Sequence, residues 1–268
     1  MRESLLLLLL FAETSLFSAL FYPVGARFAG MSHCGVMISD LWSISHNQAG
    51  LASMVRPAAG FHHENHFLIK EMGISAAAVA LPVRPGIMAV QYQYFGHEKY
   101  HETRTSLAYA MKLGETVSAG IQISYFSQFI QYESSRTRAV TAEGGILYHP
   151  AEHFSIGFHV FNPNQSSFQG SSGERLPSVV QFGAGYISGK IIFCAETEKQ
   201  SGVPPCYKMA MEYHPVTCVF FRAGLSTHPM YLYSMGLGLT MKKIRMDVAS
   251  SFHQILGFSP HFSLTFFL

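Results

Sequence analysis

A chain of 268 residues that is 49% hydrophobic, only 13% charged and close to neutral at +2 carries far less charge than the about 25% of an ordinary soluble domain. Such a surface cannot be wetted all round, and without a basic excess it offers no footprint for nucleic acid. No run of 18 apolar residues follows the first two dozen positions, which argues against spanning by helices and leaves the β-barrel, whose strands alternate lipid-facing and lumen-facing side chains.

The amino terminus reads as an export signal. Arg2 precedes an apolar run from Leu5 to Ala12, and small residues follow at Ser18 and Ala19, so residues 1–20 are expected to be a removable signal peptide. Glu13 and Thr14 interrupt the run, which argues against a retained anchor helix, and no cysteine near the expected cleavage point suggests a lipoprotein. Residues 21–55 form a second unit that does not alternate. It is rich in glycine, contains Asp40, and ends in Asn47-Gln-Ala-Gly-Leu51.

From about residue 56 the pattern takes period two, and residues 56–268 read as the barrel. Turn signals cut it into about fourteen strands, near 57–68, 74–81, 86–99, 103–113, 117–131, 137–149, 154–162, 177–188, 190–198, 205–214, 217–227, 231–242, 244–254 and 259–268. Even-numbered connections are tight, as at Gly114-Glu-Thr116 and Ser188-Gly189; odd-numbered ones are mostly longer and more polar, above all 162–177. Short turns at one end and longer loops at the other are expected of an outer-membrane barrel, with the short turns periplasmic. A soluble sandwich or an eight-stranded lipocalin-like barrel also alternates, but its outer faces need charge. Here the non-apolar face is mostly Gly, Ser, Ala and Gln with scattered ions, which suits a crowded lumen.

On this phase Gln91, Gln93, Lys112, Gln122, Glu143, His159, Lys208, Glu212, Arg222, Arg245 and Asp247 point inward. Glu212 and Arg222 flank one tight turn, and Arg245 sits two residues from Asp247. Charges that neutralise one another hold an interior together, whereas a ring of one sign would argue for an ion-selective pore. No G-x-S-x-G or H-E-x-x-H occurs, so no enzyme is expected and no cofactor is implied. The run Phe61-His-His-Glu-Asn-His-Phe67 invites a metal, but a straight strand holds His62 and His66 about 13 Å apart at ~3.3 Å per residue, so no metal site is expected. Turn placement at the membrane interface accounts for His149, His153, His214, His228 and His261. Cys34, Cys194, Cys206 and Cys218 lack C-x-x-C spacing; a Cys194–Cys206 disulfide and free buried or lipid-facing thiols both stay open. In the final strand Phe262, Leu264, Phe266 and Leu268 form a lipid-facing stripe, and pairing with the first strand would remove the free edge.

The amino-terminal segment resembles the FadL-like outer-membrane proteins, in particular the PorV/PorQ branch associated with type IX secretion. The residues that carry the resemblance are Gly25, Ala26, Arg27, Ala29, Gly30, Met31, Asp40, Asn47, Ala49, Gly50 and Leu51; Ser32 stands where the family has Gly, and Gln48 where it has Pro. The stretch from Ala142 to Pro163 is similar to a hairpin of the same branch, and the last strand resembles the signal read by the outer-membrane insertion machinery, with Leu268 in place of the more usual Phe. The resemblance implies a fourteen-stranded barrel of the outer membrane with a hatch in its lumen. It also implies either of two non-enzymatic roles. Trimmed loops and a mixed-charge lumen favour an accessory subunit with protein partners in an outer-membrane secretion or assembly complex. The alternative is a FadL-like channel taking up a hydrophobic ligand, and a general diffusion porin is the weakest reading because no long constriction loop appears.

Overall fold

The structure, a computed structural model, describes residues 22–131, 135–169, 175–227 and 231–268. The expected signal peptide and His228 lie outside the described residues. Fourteen antiparallel strands close on themselves: β1 (Ala58–Asn65), β2 (Gly73–Val83), β3 (Gly86–His97), β4 (Tyr100–Lys112), β5 (Val117–Ile130), β6 (Ser135–Ala151), β7 (Phe154–Phe161), β8 (Val179–Ile187), β9 (Ile191–Gln200), β10 (Cys206–Val216), β11 (Val219–Ser226), β12 (Leu232–Met241), β13 (Ile244–His253) and β14 (Gly257–Phe267). Each strand pairs with its neighbours in sequence, and β14 pairs with β1 from Ala58 opposite Phe267 to Glu64 opposite His261. Closure leaves no free edge. No described helix is long and apolar enough to cross a membrane.

The alternation read from the sequence is the alternation of the wall. Along β5, Ser118, Gly120, Gln122 and Ser124 are buried while Ile121, Ile123 and Tyr125 are exposed. Along β14, His261, Ser263 and Thr265 are buried, whereas Phe262, Phe266 and Leu268 face outward. The middle of the outer face is therefore an apolar belt, and the outward charges Arg136, Arg138 and Lys199 lie towards the long-loop end of their strands. Rings gather towards its ends: Tyr148, Phe154, Tyr186 and Tyr213 at the tight-turn end, and Tyr207, Tyr233, Phe252 and Phe258 at the other. That is the girdle of a membrane barrel.

Three expectations change. The first strand stops at Asn65 instead of 68, because Phe67 and Leu68 take φ of 55° and 60° and no pleat continues through that region. β3 ends at His97 and β4 begins at Tyr100, instead of at 99 and 103, so their connection is only Glu98-Lys99. Lys112, expected in the lumen, ends β4 at the rim and is exposed.

The four cysteines are free thiols. Cys194 and Cys206 do lie on neighbouring strands, but Cys194 is opposite Ala210 and Cys206 opposite Glu198, four positions out of register. A disulfide between them is excluded by that offset.

A fourteen-stranded wall encloses more space than its own side chains fill. The filling comes from the amino-terminal segment, buried almost throughout from Val24 to Ala52. Most of the largest fully buried side chains are in it: Trp42, Phe28, Met31, Met37, Leu41, Ile44 and Leu51. The wall gives way to them with small residues, including Ala76, Ala78 and Ala80 on β2 and Ala108 and Ala110 on β4. The hydrophobic core thus lies inside the lumen, between one irregular segment and an alanine- and glycine-rich wall.

Candidate functional site

The segment begins with Gly25 at φ 118°, where a side chain would also strike Trp42 Cβ at 2.8 Å, so only glycine fits. A single turn of helix, α1 (Ala26–Ala29), follows and lies against β12, β13 and β14. Ala26 N donates to Ser263 Oγ at 2.8 Å, and a Cβ on Gly30 would come within 3.0 Å of Gly236 Cα in the wall. Asp40 caps the 3-10 turn Leu41–Ser45 by accepting from Trp42 N, and Asn47 caps the turn Gln48–Ser53 by accepting from Ala49 N. Asn47 Nδ2 also donates to Val36 O at 2.7 Å and to Ile146 O of β6 at 3.1 Å. Gly50 passes so close to Ile38 O that a Cβ would lie at 2.8 Å.

Arg27 is the principal tie between segment and wall. Its Nε and Nη2 donate to the Glu212 carboxylate at 2.9 and 2.6 Å, a two-pronged contact, and its Nη1 donates to Asp40 Oδ2 at 2.9 Å. Glu212 and Arg222 face each other across β10 and β11 and are bonded. Arg222 Nη1 lies 2.8 Å from Asp247 Oδ1, and Arg245 reaches Asp247 at 3.1 Å and Asp40 at 3.4 Å. Three guanidinium groups thus meet three carboxylates, with no net charge left buried. Burial works against charge on Arg27, but Glu212 and Asp40 outweigh it and hold its pKa above the ordinary arginine value. Burial likewise opposes charge on Asp40, and Arg245 with Arg27 holds its carboxyl below the usual range.

Two further polar knots hold the segment elsewhere. Lys208 Nζ sits 3.1 Å from Glu196 and 2.7 Å from Glu198, while Glu196 Oε2 accepts from the backbone N–H groups of Gly35 and Val36, each at 2.9 Å. Glu143 is bonded to Arg104, accepts from Ser124 Oγ at 2.8 Å, and accepts from Gln48 Nε2 at 3.0 Å. A proline at position 48 could not make that last bond.

The structure therefore brings Arg27, Asp40, Glu212, Arg222, Arg245 and Asp247 into one cluster and puts Lys208 in another. Sequence reasoning missed Arg104, Glu196 and Glu64. Glu196 and Glu198 could have been found from the period-2 placement of Glu196-Thr-Glu198 on one strand face. It also misplaced two histidines. His261 is in mid-strand and 2% exposed, not at an interfacial turn. The turn His66–Leu68 breaks the straight pleat assumed for β1, so His66 Nδ1 comes to 3.2 Å from Glu64 Oε1.

Where the segment touches the wall, backbone meets backbone. A Cβ added to Gly157 would lie 2.2 Å from Val36 O, and one on Gly224 would lie 2.4 Å from Met31 C. Gly157→Val is expected to destabilise docking by about 1–3 kcal/mol through overpacking. Limited proteolysis should then cut within residues 22–54 while the barrel keeps its heat-modifiable mobility; unchanged protection would contradict the packing described.

On the outer face of β7–β11 is a hollow of about 690 Å³. Its floor is made by small residues such as Ala184, Ala195, Ala210 and Ala223, and its rim by Phe154, Tyr186, Phe193, Met209, Met211 and Leu225. Directly behind the floor lies the segment: Cys194 Sγ contacts Cys34 O at 3.4 Å, and Gly185 abuts Met37.

No protein-family model and no curated protein matches the chain. Solved structures do share its fold. The toluene transporter TodX of Pseudomonas putida superposes with a TM-score of 0.67 at 8% identity, covering 93% of this chain and 97% of that one. The toluene transporter TbuX of Ralstonia pickettii gives 0.65 at 9% identity, over 90% and 96% of the two chains. A Pseudomonas aeruginosa FadL homologue gives 0.63 at 11% identity, over 90% and 97%. The chain has the closed fourteen-stranded fold of the outer-membrane FadL-type barrels.

Proposed function

We propose that this protein is a non-enzymatic channel of the bacterial outer membrane that passes small hydrophobic molecules, with residues 22–54 as its hatch. The observation that carries the reading is the way the lumen is closed. The obstruction is one chain segment, tied to the wall at discrete polar knots and resting on glycine and alanine, so displacing it would open the barrel without unfolding it. Similarity of fold to two toluene transporters supports hydrophobic solutes as the class. The outer depression is shallow and apolar, and its small-residue floor gives such a solute a surface to rest on beside the segment. This reading replaces the accessory subunit favoured by loop length and lumen charge.

One observation keeps the accessory role, in the manner of the PorV/PorQ branch, as a second reading: the lumen is packed from Val24 to Ala52. A single comparison separates the two. Cells lacking their own hydrocarbon channels, and expressing this chain, are expected to take up labelled toluene several-fold faster than cells with an empty vector. Uptake at the empty-vector rate by both wild type and a hatch-released variant, together with a stoichiometric protein partner in native detergent extracts, would establish the accessory role instead.

A further inference from the structure

At the seam where β1 meets β14, three ligating side chains converge on one point of the lumen. His62 and Glu64 are successive inward residues of β1, and His261 projects inward from β14 directly opposite Glu64. All are buried, at 0%, 1% and 2% exposure. His62 Nε2 lies 3.7 Å and His261 Nδ1 lies 3.1 Å from the same oxygen, Glu64 Oε2, and the three atoms are within 4.8 Å of one another.

What the far sides of the rings do is independent of that convergence. His62 Nδ1 is hydrogen-bonded to Ser263 Oγ at 2.9 Å, and His261 Nε2 to Ser251 Oγ at 3.0 Å. With each hydroxyl accepting, the proton sits on the far nitrogen and the near nitrogen turns a lone pair inward. That is the arrangement in which outer partners orient metal-binding imidazoles. His62 Nε2, His261 Nδ1 and Glu64 Oε2 are all buried, and none has an aligned hydrogen bond. In that tautomer three buried acceptors face one another without donors, which is costly unless a cation lies between them.

We propose that His62, Glu64 and His261 form a binding site for a divalent first-row transition ion, with Zn²⁺ the favoured occupant. Two imidazoles and one carboxylate suit zinc and its neighbours, whereas Ca²⁺ and Mg²⁺ require more oxygen donors than the site offers. Tetrahedral ligands around zinc lie about 3.4 Å apart at bond lengths near ~2.1 Å, so the two contacts to Glu64 already have nearly that spacing. The two imidazoles, at most 4.8 Å apart, need only close together by side-chain rotation. His66 Nδ1, 3.2 Å from Glu64 Oε1, steadies the other carboxylate oxygen from outside the ligand set. A bound ion would cross-link the first and last strands. It would also lie beside the hatch, since Trp42 packs its ring against His62 and His33 packs against His261. The site does not depend on what the barrel transports.

The test uses the full chain, purified from membranes in detergent and stripped with a chelator. Titration with Zn²⁺ is expected to show one ion per chain and a raised thermal midpoint, and Co²⁺ substitution should give the visible absorption of a low-coordinate N/O site. His62→Ala/His261→Ala should abolish both signals. Ser251→Ala, which leaves every ligand in place, should weaken binding roughly 10–100-fold while the barrel stays heat-modifiable. His149→Ala/His153→Ala, at the tight-turn end, should change nothing. Failure of the wild-type chain to bind Zn²⁺ stoichiometrically would overturn the proposal, as would binding that survives in the double histidine variant.

Discussion

Arg27→Met is expected to release the amino-terminal segment from the lumen while the barrel remains closed. Arg27 makes the two-pronged contact to Glu212 and the bond to Asp40, and all three groups are nearly fully buried. Removing one partner from a buried ionic cluster costs about 3–5 kcal/mol, because the charge left behind is neither solvated nor paired. At about 1.4 kcal/mol per factor of ten, the undocked fraction should rise a hundredfold or more. Protease should cleave within residues 22–54, and uptake of hydrophobic solute should increase. A rescue makes the cause specific. Without Arg27, two guanidinium groups face three carboxylates; adding Asp40→Asn restores the balance and should recover part of the protection. Full protection in the single variant would refute the clamp.

Phe262→Arg is expected to destabilise the inserted barrel strongly. Phe262 is the middle outward residue of β14, paired with Val248 on one side and His63 on the other. On the lipid face of a barrel an arginine costs about 2–4 kcal/mol at the membrane midplane and about 0–1 near the interfaces. Leu268→Arg, at the strand's end, should therefore be tolerated, and the contrast between the two is the measurement. Urea titration in lipid vesicles, with heat-modifiable mobility as the readout of folding, should show the midplane variant destabilised and the terminal one near wild type. If the belt faced water, Phe262→Arg would be neutral.

Much of the wall was legible in the residues, because strand alternation is a local property. Each pair i and i+2 reports the same face whatever lies across from it, so Ile121, Ile123 and Tyr125 could be assigned outward without a partner. The tight turns were legible for the same reason, and one ion pair with them: the short β10–β11 hairpin, which turns at Thr217-Cys218, brings Glu212 opposite Arg222. The first strand's end was not legible. The turn at Phe67 and Leu68 uses residues with no special preference for positive φ, and what holds it is a bond from Phe67 N to Ser259 Oγ of the distant last strand.

The sequence by itself determined a fourteen-stranded, lipid-facing wall, its closing strand, and a distinct segment ahead of it carrying Gly25, Arg27, Asp40, Asn47 and Gly50. Only the tertiary structure decided what those residues meet. Arg27 finds Glu212 at a separation of 185 residues, and Asp40 finds Arg245 at 205. His261 reaches Glu64 only because the last strand closes onto the first. Alternation follows from the pleat of one strand. Charge partners instead follow from the barrel's register and the segment's path through it, which depend on every strand at once.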